Sequence, residues 1–282
     1  MKLVRYGAVG QERPGIIDRM GAIRDLSAIV EDIGGEALSD AGLQKIAAQN
    51  IENLPRVAEG TRLGACVNPV GKFIGIGLNY ADHIAETGRP APKEPSTFMK
   101  ATSSISGPYD DISLPITATK GDWEVELGIV IGKRAKNIAE ADAYSHIAGY
   151  CTINDVSERN FQLNREGGTS KGKSCDTFGP IGPWLVTRDE VTDPLSLDLL
   201  TEVDGKRYQT GNTRDMVFKV PFLVSYLSEF FSLHPGDVIA TGTPAGIGNR
   251  QKPPVYLQPG QMVRTEVRGL GEQLHRVVRD GS

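Results

Sequence analysis

From Pro69 onward the chain is a succession of short apolar runs cut by glycine and proline, and this punctuation restricts the fold more than any other feature. The runs are Lys72–Gly77, Trp123–Gly132, His146–Ile153, Trp184–Thr187, Leu199–Val203, Asp237–Thr241 and Met262–Val267. Their Val and Ile content reads as strands. Only a few segments in this part have helical patterning, among them Tyr80–Glu86, Ser157–Arg165 and Pro221–Phe230. Strands therefore do not alternate with long helices, which argues against a doubly wound parallel sheet. The expected fold class is α+β, mainly β, with helices at the edges of a mixed core. The 33 Gly and 17 Pro in 282 residues agree with a turn-rich globular chain, lying above the usual fraction of about 12% and below the ~25–30% of disordered segments.

Residues 1–68 have a different texture: a strand-like Lys2–Ala8, a turn at Arg13-Pro14-Gly15, and a helical stretch over Leu38–Ile46 with Asp40 as its N-cap. No constellation of reactive groups occurs there, so this segment is expected to be a small accessory domain and 69–282 the catalytic one. The 31 basic and 35 acidic residues nearly cancel, for a formal charge of −4. That balance does not favour nucleic acid as a partner. Apolar stretches such as Gly128–Gly132 fall far short of the ~18 residues that span a bilayer, so no membrane partner is expected. The N-terminus lacks the apolar run of a secretory signal. Cys66, Cys151 and Cys175 are widely spaced, odd in number and in no C-x-x-C pair, which fits a cytoplasmic protein better than a disulfide framework.

Asp122-Trp123-Glu124-Val125-Glu126-Leu127-Gly128-Ile129-Val130-Ile131 is the most informative segment. On a strand, Val125, Leu127, Ile129 and Ile131 share one face, while Glu124 and Glu126 stand together on the other. Two adjacent carboxylates need solvent, a proton or a cation between them, so this is either a solvated edge strand or part of a cation site. In Tyr150–Ser157, a strand stops at Asn154-Asp155 and passes into a helix. Asp155 is then either a helix cap or a third oxygen ligand for a hard divalent ion. His83 and Glu86, spaced i and i+3, share a helix face. They make either a surface ion pair or a carboxylate-oriented general base.

Gly167–Ser174 fits the spelling of a phosphate-binding P-loop, yet it is preceded by a polar, helix-like segment and followed by Gly and Pro. It therefore lacks the strand and the helix that the chemistry needs. A lysine there can still serve an anionic substrate. Asp237–Gly248 runs from a strand into a glycine-rich loop bearing Thr241 and Thr243. His146, His234 and His275 read as structural or surface residues. No G-x-S-x-G elbow occurs, which disfavours a serine hydrolase.

Taken in order, Ile76–His83, Phe98-Met99-Lys100, Asp122–Glu126, Asn154–Ser157, Lys171–Ser174 with Thr177–Pro180, and Pro235-Gly236-Asp237 leading to Thr241–Pro244 resemble the fumarylacetoacetate hydrolase family over roughly residues 69–250. The arrangement is similar to its bacterial branch, which includes diketo-deoxy sugar-acid hydrolases and acylpyruvate hydrolases. The resemblance implies a mixed β-roll core and a Mg²⁺ or Mn²⁺ ion on Glu124, Glu126 and Asp155. It also implies a water-activating dyad, His83 with Glu86, on a lid segment. Lys173 would bind or polarise the substrate, and Thr243 would contact its carboxylate. A homodimer or larger homo-oligomer is expected on the same ground.

The implied reaction is metal-dependent hydrolysis of a C–C bond in a small β-diketo acid, a 2,4-diketo-3-deoxy sugar acid or an acylpyruvate, releasing pyruvate or a related 2-keto acid. Ureidoglycolate lyase, oxaloacetate decarboxylase and keto–enol isomerase chemistry are alternatives on the same site. The polar set Lys100, Arg159, Gln162 and Arg165 leans toward substrate binding of a hydroxylated acid.

Overall fold

The computed structural model describes residues 1–166 and 168–281. It is mixed and mainly β, with the expected helices at the margins. Nine strands form one sheet in the order Ile23–Asp25, Arg13–Ile17, Lys2–Tyr6, Leu185–Thr187, Ile147–Asn154, Val125–Ile131, Val238–Ala240, Phe73–Gly77 and Ser96–Lys100. A second sheet of five strands runs Lys206–Asn212, Asp198–Val203, Met262–Val267, Gly271–Arg279 and Ile112–Leu114. Pairing in the large sheet is antiparallel except where Val238–Ala240 runs parallel to Phe73–Gly77. The N-terminal strands extend this sheet directly, since Leu3 pairs with Leu185.

Val125–Ile131 lies near the middle of the large sheet and is buried along its whole length. Its Val125, Leu127, Ile129 and Ile131 side chains join Leu199 and Val267 of the second sheet in one core. The helix Val220–Phe230 closes that core with Val220, Leu223, Val224 and Leu227. On the opposite side, Val130 packs with Leu3, Ile46 and Cys151. Burial on both faces explains why this strand is apolar nearly throughout and why Glu126, and Glu124 just before it, are not solvated by bulk water.

Two N-terminal expectations differ. Arg13-Pro14-Gly15 is part of a strand and not a turn, with Arg5 opposite Pro14 and Tyr6 opposite Arg13. Pro14 is tolerated because only its carbonyl is needed, to accept from Leu26 N at 3.0 Å. Gly15 leaves room for Tyr6, Val4 and Ile23, whose side chains would lie within 3.1 Å of an added Cβ. The helix is found at Asp40–Ala47, but Ser39 is its cap, accepting from Gly42 N at 3.0 Å, and Asp40 is its first residue. Likewise Ser157–Arg165 divides into a two-residue strand, Ser157–Glu158, and the helix Arg159–Asn164, whose cap is Glu158.

In the P-loop-like segment, Gly167 lies outside the described residues. Thr169–Lys173 is a short helix preceded by the helix Arg159–Asn164, not by a strand, so the phosphate-binding context is missing.

His275 is fully buried, its Nδ1 2.6 Å from the Asp110 carbonyl. Burial pushes its pKa from 6.5 down to about 4, against the opposing pull of Asp110. Between those values the unfolded chain binds the proton and the folded one does not, so stability rises with pH through this window. Going from about pH 7.5 to about pH 5, this group removes about 2 kcal/mol of stability. His275→Gln is expected to abolish that component, read as a smaller difference between denaturant midpoints at the two pH values. An equal pH dependence in both proteins would contradict it.

Candidate active site

The site is assembled by strand register. Val125 pairs with Asn154 and Glu126 with Ile153. Beyond the last pair, Asn154 Oδ1 accepts from Glu124 N at 3.0 Å and Asp155 N donates to Glu124 O at 2.8 Å. An acid that follows one strand is thereby brought beside two acids that open its neighbour. Glu124, Glu126 and Asp155 each offer an oxygen, all within 4.8 Å of one another. Their exposures are 7%, 2% and 0%, so solvent does not separate them. This removes the solvated-edge alternative for Glu124 and Glu126. Helix capping is not the role of Asp155 either, since Glu158 caps the following helix.

Buried cations surround two of the three acids. Lys173 Nζ bridges Glu124 Oε2 at 2.7 Å and Asp155 Oδ2 at 2.5 Å. Arg159 Nη2 reaches Glu124 Oε1 at 2.5 Å, and Lys100 Nζ reaches Asp155 Oδ1 at 2.6 Å. Burial alone would raise the Glu124 carboxyl, but Lys173 and Arg159 outweigh it and hold the group well below the usual range. Lys173 is likewise held above its ordinary value, because Asp155 and Glu124 overcome its burial. For Lys100 burial prevails and the ammonium is shifted down.

Glu126 differs. Its Oε2 accepts from Gly242 N at 2.7 Å, and no ion pair reaches it among the described residues. Burial, then Asp155 and Glu124, push this carboxyl well above the usual carboxylate range. The donor set fits a hard divalent cation: three carboxylate oxygens converge, and Glu126 has no ion-pair partner among the described residues.

The dyad sits on the helix Ala81–Thr87, and its His83 lines the same cavity as Glu124 and Glu126. His83 Nδ1 is 2.9 Å from Glu86 Oε2, and His83 is only 7% exposed. A carboxylate on Nδ1 keeps the proton there and leaves the Nε2 lone pair as the basic position. Two more bonds dock the helix onto the glycine-rich loop: Ala245 N donates to Asp82 Oδ2 at 3.2 Å and Gly246 N to Glu86 Oε1 at 3.1 Å. Gly246 has φ +106°, and a Cβ there would lie 2.0 Å from the Tyr208 carbonyl, so only glycine can present this N–H.

Glu124, Glu126, His83 and Lys173 line one cavity of about 200 Å³, together with Arg159, Gln162 and Thr243. Asp155 is fully buried and absent from the lining, its Oδ2 2.5 Å from Lys173 Nζ. Lys100 is buried and absent from the lining; its ammonium is engaged with Asp155 and the Lys173 carbonyl. Arg159 Nη1 donates to Gln162 Oε1 at 2.9 Å. The Thr243 hydroxyl donates to Val125 O at 2.8 Å and accepts from Gln209 Nε2 at 2.7 Å. Arg165 stacks on Phe161, 4.2 Å from the ring centroid.

Three supporting residues escaped the sequence reading. Asp122 takes Arg159 Nε at 2.8 Å and the backbone N–H groups of Gly248 and Asn249 at 2.7 and 3.0 Å. Its alternation with Glu124 and Glu126 was an available signal. Asn79 joins Phe218 to Thr241 through both ends of its amide. Gln209 links Val125 N to Thr243 from the distant second sheet, and no local pattern announces it.

Comparison with known proteins agrees with this architecture. The family described as "Fumarylacetoacetate (FAA) hydrolase C-terminal" matches residues 72–278. A Burkholderia multivorans protein, provisionally named a hydrolase, is 62% identical over 275 residues, covering 97% of this chain and 98% of its own. Maleylpyruvate hydrolase from Sphingobium sp., solved with manganese(II) and pyruvate, is 29% identical with a TM-score of 0.81, and 99% of each chain is covered. The structure of 5-carboxymethyl-2-hydroxymuconate delta-isomerase from Mycobacterium smegmatis is 33% identical with a TM-score of 0.79, covering 100% of both chains. With motif order, sheet topology and whole-length likeness in agreement, this chain belongs to the fumarylacetoacetate hydrolase family of enzymes.

Proposed function

We propose that the protein is a divalent-metal-dependent hydrolase that cleaves the bond between C3 and the distal C4 carbonyl of an acylpyruvate-type 2,4-diketo acid, releasing pyruvate or a related 2-keto acid. The observation that carries this reading is the buried, mutually close triad Glu124, Glu126 and Asp155, two of whose members line one cavity with His83, itself bonded to Glu86. A metal-bound maleylpyruvate hydrolase of the same fold supports it.

Glu124, Glu126 and Asp155 would hold Mg²⁺ or Mn²⁺, which when bound supplies Lewis acidity and a template for a 2-oxo carboxylate. Glu86 orients His83, whose Nε2 takes a proton from water as the water attacks the distal carbonyl carbon. The C–C bond then breaks, its electron pair passing to the departing fragment as an enolate. Lys173 presents a fixed ammonium close to that developing negative charge, where water is excluded and electrostatic stabilisation is largest. His83 returns the proton to the enolate carbon, so protons balance over the cycle.

Arg159, Gln162 and Lys100 are committed to internal partners, and Arg165 is stacked on Phe161. Arg159 and Gln162 still line the cavity; the acylpyruvate class is preferred on the likeness to maleylpyruvate hydrolase. A second reading, keto–enol isomerisation, is favoured by the likeness to a delta-isomerase. It needs proton transfer at the same base without attack by water.

A screen with Mg²⁺ or Mn²⁺ of 2,4-diketo acids, oxaloacetate and ureidoglycolate decides between these reactions by product identity. Two fragments, one a 2-keto acid, are expected, with ¹⁸O from solvent entering the carboxylate of the other. A product retaining every carbon supports the isomerase, and turnover of oxaloacetate or ureidoglycolate alone overturns the diketo-acid reading.

A further inference from the structure

The lysine that faces the substrate cavity is itself bound to the acids of the triad. Lys173 Nζ bridges Glu124 Oε2 at 2.7 Å and Asp155 Oδ2 at 2.5 Å, so it is shared by two of the three acids whose oxygens converge. Each of those acids has a second buried cation on its other oxygen. Arg159 Nη2 lies 2.5 Å from Glu124 Oε1, and Lys100 Nζ lies 2.6 Å from Asp155 Oδ1. Although buried, Lys173 lines the cavity. Phe98 lines it too, its ring centroid 5.2 Å from Nζ, so the ammonium has an aromatic face as well as the two carboxylates.

The formal charges of this bonded cluster nearly balance. Asp122, Glu124, Glu126 and Asp155 meet Lys100, Arg159 and Lys173, four acids against three cations, which leaves one negative charge. A divalent ion turns that into one positive charge, and a 2-oxo monocarboxylate then brings the cluster to neutrality. With a neutral side chain in place of Lys173 the loaded cluster would already be neutral. An added carboxylate would then be left uncompensated in a buried site, where charges act most strongly. The ammonium and a divalent ion also draw on the same two carboxylates, so Lys173 lowers the affinity of the centre for metal.

We propose that Lys173 is a resident counter-cation of the metal centre: it competes with the divalent ion for Glu124 and Asp155, weakening their hold on it, and so leaves the loaded centre with the positive charge that receives a 2-oxo carboxylate. This rests on the reading of the triad as a divalent-metal site. Orientation of the two acids does not depend on Lys173 alone. Arg159 and Lys100 hold their other oxygens, and Asp122 in turn holds Arg159. Removing the ammonium therefore changes charge more than geometry. The two affinities should move in opposite directions, tighter for metal and weaker for the anion. A residue that only shaped the site would lower both.

The test titrates Mn²⁺ calorimetrically into chelator-stripped protein, and then pyruvate into the Mn²⁺-saturated protein, for wild type, K173M, K173Q and K173R. K173M and K173Q are each expected to bind Mn²⁺ at least about tenfold more tightly than wild type. Once loaded, both should bind pyruvate at least about tenfold more weakly. K173R keeps the charge and should stay nearer to wild type in both titrations. Thermal unfolding checks the fold independently: the same excess of Mn²⁺ should raise the Tm of K173M by more than that of wild type.

Mn²⁺ affinity equal to or below that of wild type, in either variant that melts cooperatively, overturns the proposal. So does an unchanged affinity for pyruvate in the loaded variants. If both shifts are seen and yet wild type cleaves no 2,4-diketo acid, the hydrolase reading fails while the role of Lys173 stands. If none of the four proteins takes up Mn²⁺, the metal-dependent reading fails and the proposal fails with it.

Discussion

Glu126→Gln is expected to stabilise the metal-free protein and to abolish metal-dependent turnover. In the fold, Glu126 is buried beside Glu124 and Asp155 with no cation of its own. Replacing its carboxyl by an isosteric amide relieves like-charge repulsion and desolvation, and the amide oxygen can still accept from Gly242 N. A gain on the order of 1 kcal/mol follows, or a few degrees in Tm for a chain of this size.

The same change removes a charged ligand, so affinity for Mg²⁺ or Mn²⁺ should fall and kcat/KM should drop by at least about a thousandfold. Thermal unfolding in a chelator and calorimetric metal titration read the two halves separately. A less stable variant in chelator, or metal affinity equal to wild type, would show that the triad is not arranged for a cation. Glu124→Ala should behave in the opposite sense for stability. It removes one of the two carboxylates on each of Lys173 and Arg159, leaving them only Asp155 and Asp122, which costs about 1–3 kcal/mol as well as removing a ligand.

His83→Ala should lower kcat by about 10²–10⁴-fold, the usual worth of a positioned general base, while metal affinity stays within about threefold. The separation is expected because His83 lines the cavity and is bonded to Glu86 instead of to any of the three acids. Glu86→Gln should cost less, roughly tenfold in kcat, since an amide oxygen can still accept from Nδ1. Its helix should also dock less firmly, because one side-chain oxygen cannot replace both the His83 contact and the Gly246 contact. Equal losses of metal binding and turnover in His83→Ala would instead mean that the histidine belongs to the ion site.

Much of the site could be read from the chain because its chemistry is local. The alternation at Glu124 and Glu126, the strand stop at Asp155, and the i, i+3 spacing of His83 and Glu86 each arise within a single element, where backbone periodicity fixes which side chains share a face. Errors fell where several backbones compete for one place. Arg13-Pro14-Gly15 has the composition of a turn, yet Lys2–Tyr6 and Ile23–Asp25 flank it and draw it into a sheet. Ser39 and not Asp40 caps the first helix, a shift of one residue set by how the preceding turn, Gly35–Leu38, ends.

The polar side chains around the cavity were the least legible. Lys100, Arg159 and Thr243 are polar in any reading, but whether they face a substrate or one another depends on partners from remote segments: Asp155, Asp122 and Glu124, and Gln209. Family membership, mainly-β character and the identity of the acids follow from residue order, because motifs and strand periodicity are properties of the chain taken segment by segment. The convergence of those acids and the bonds that Lys100, Arg159 and Thr243 make to remote segments were decided in three dimensions. Register between strands and the pairing of buried charges are settled only when distant segments meet and exclude water.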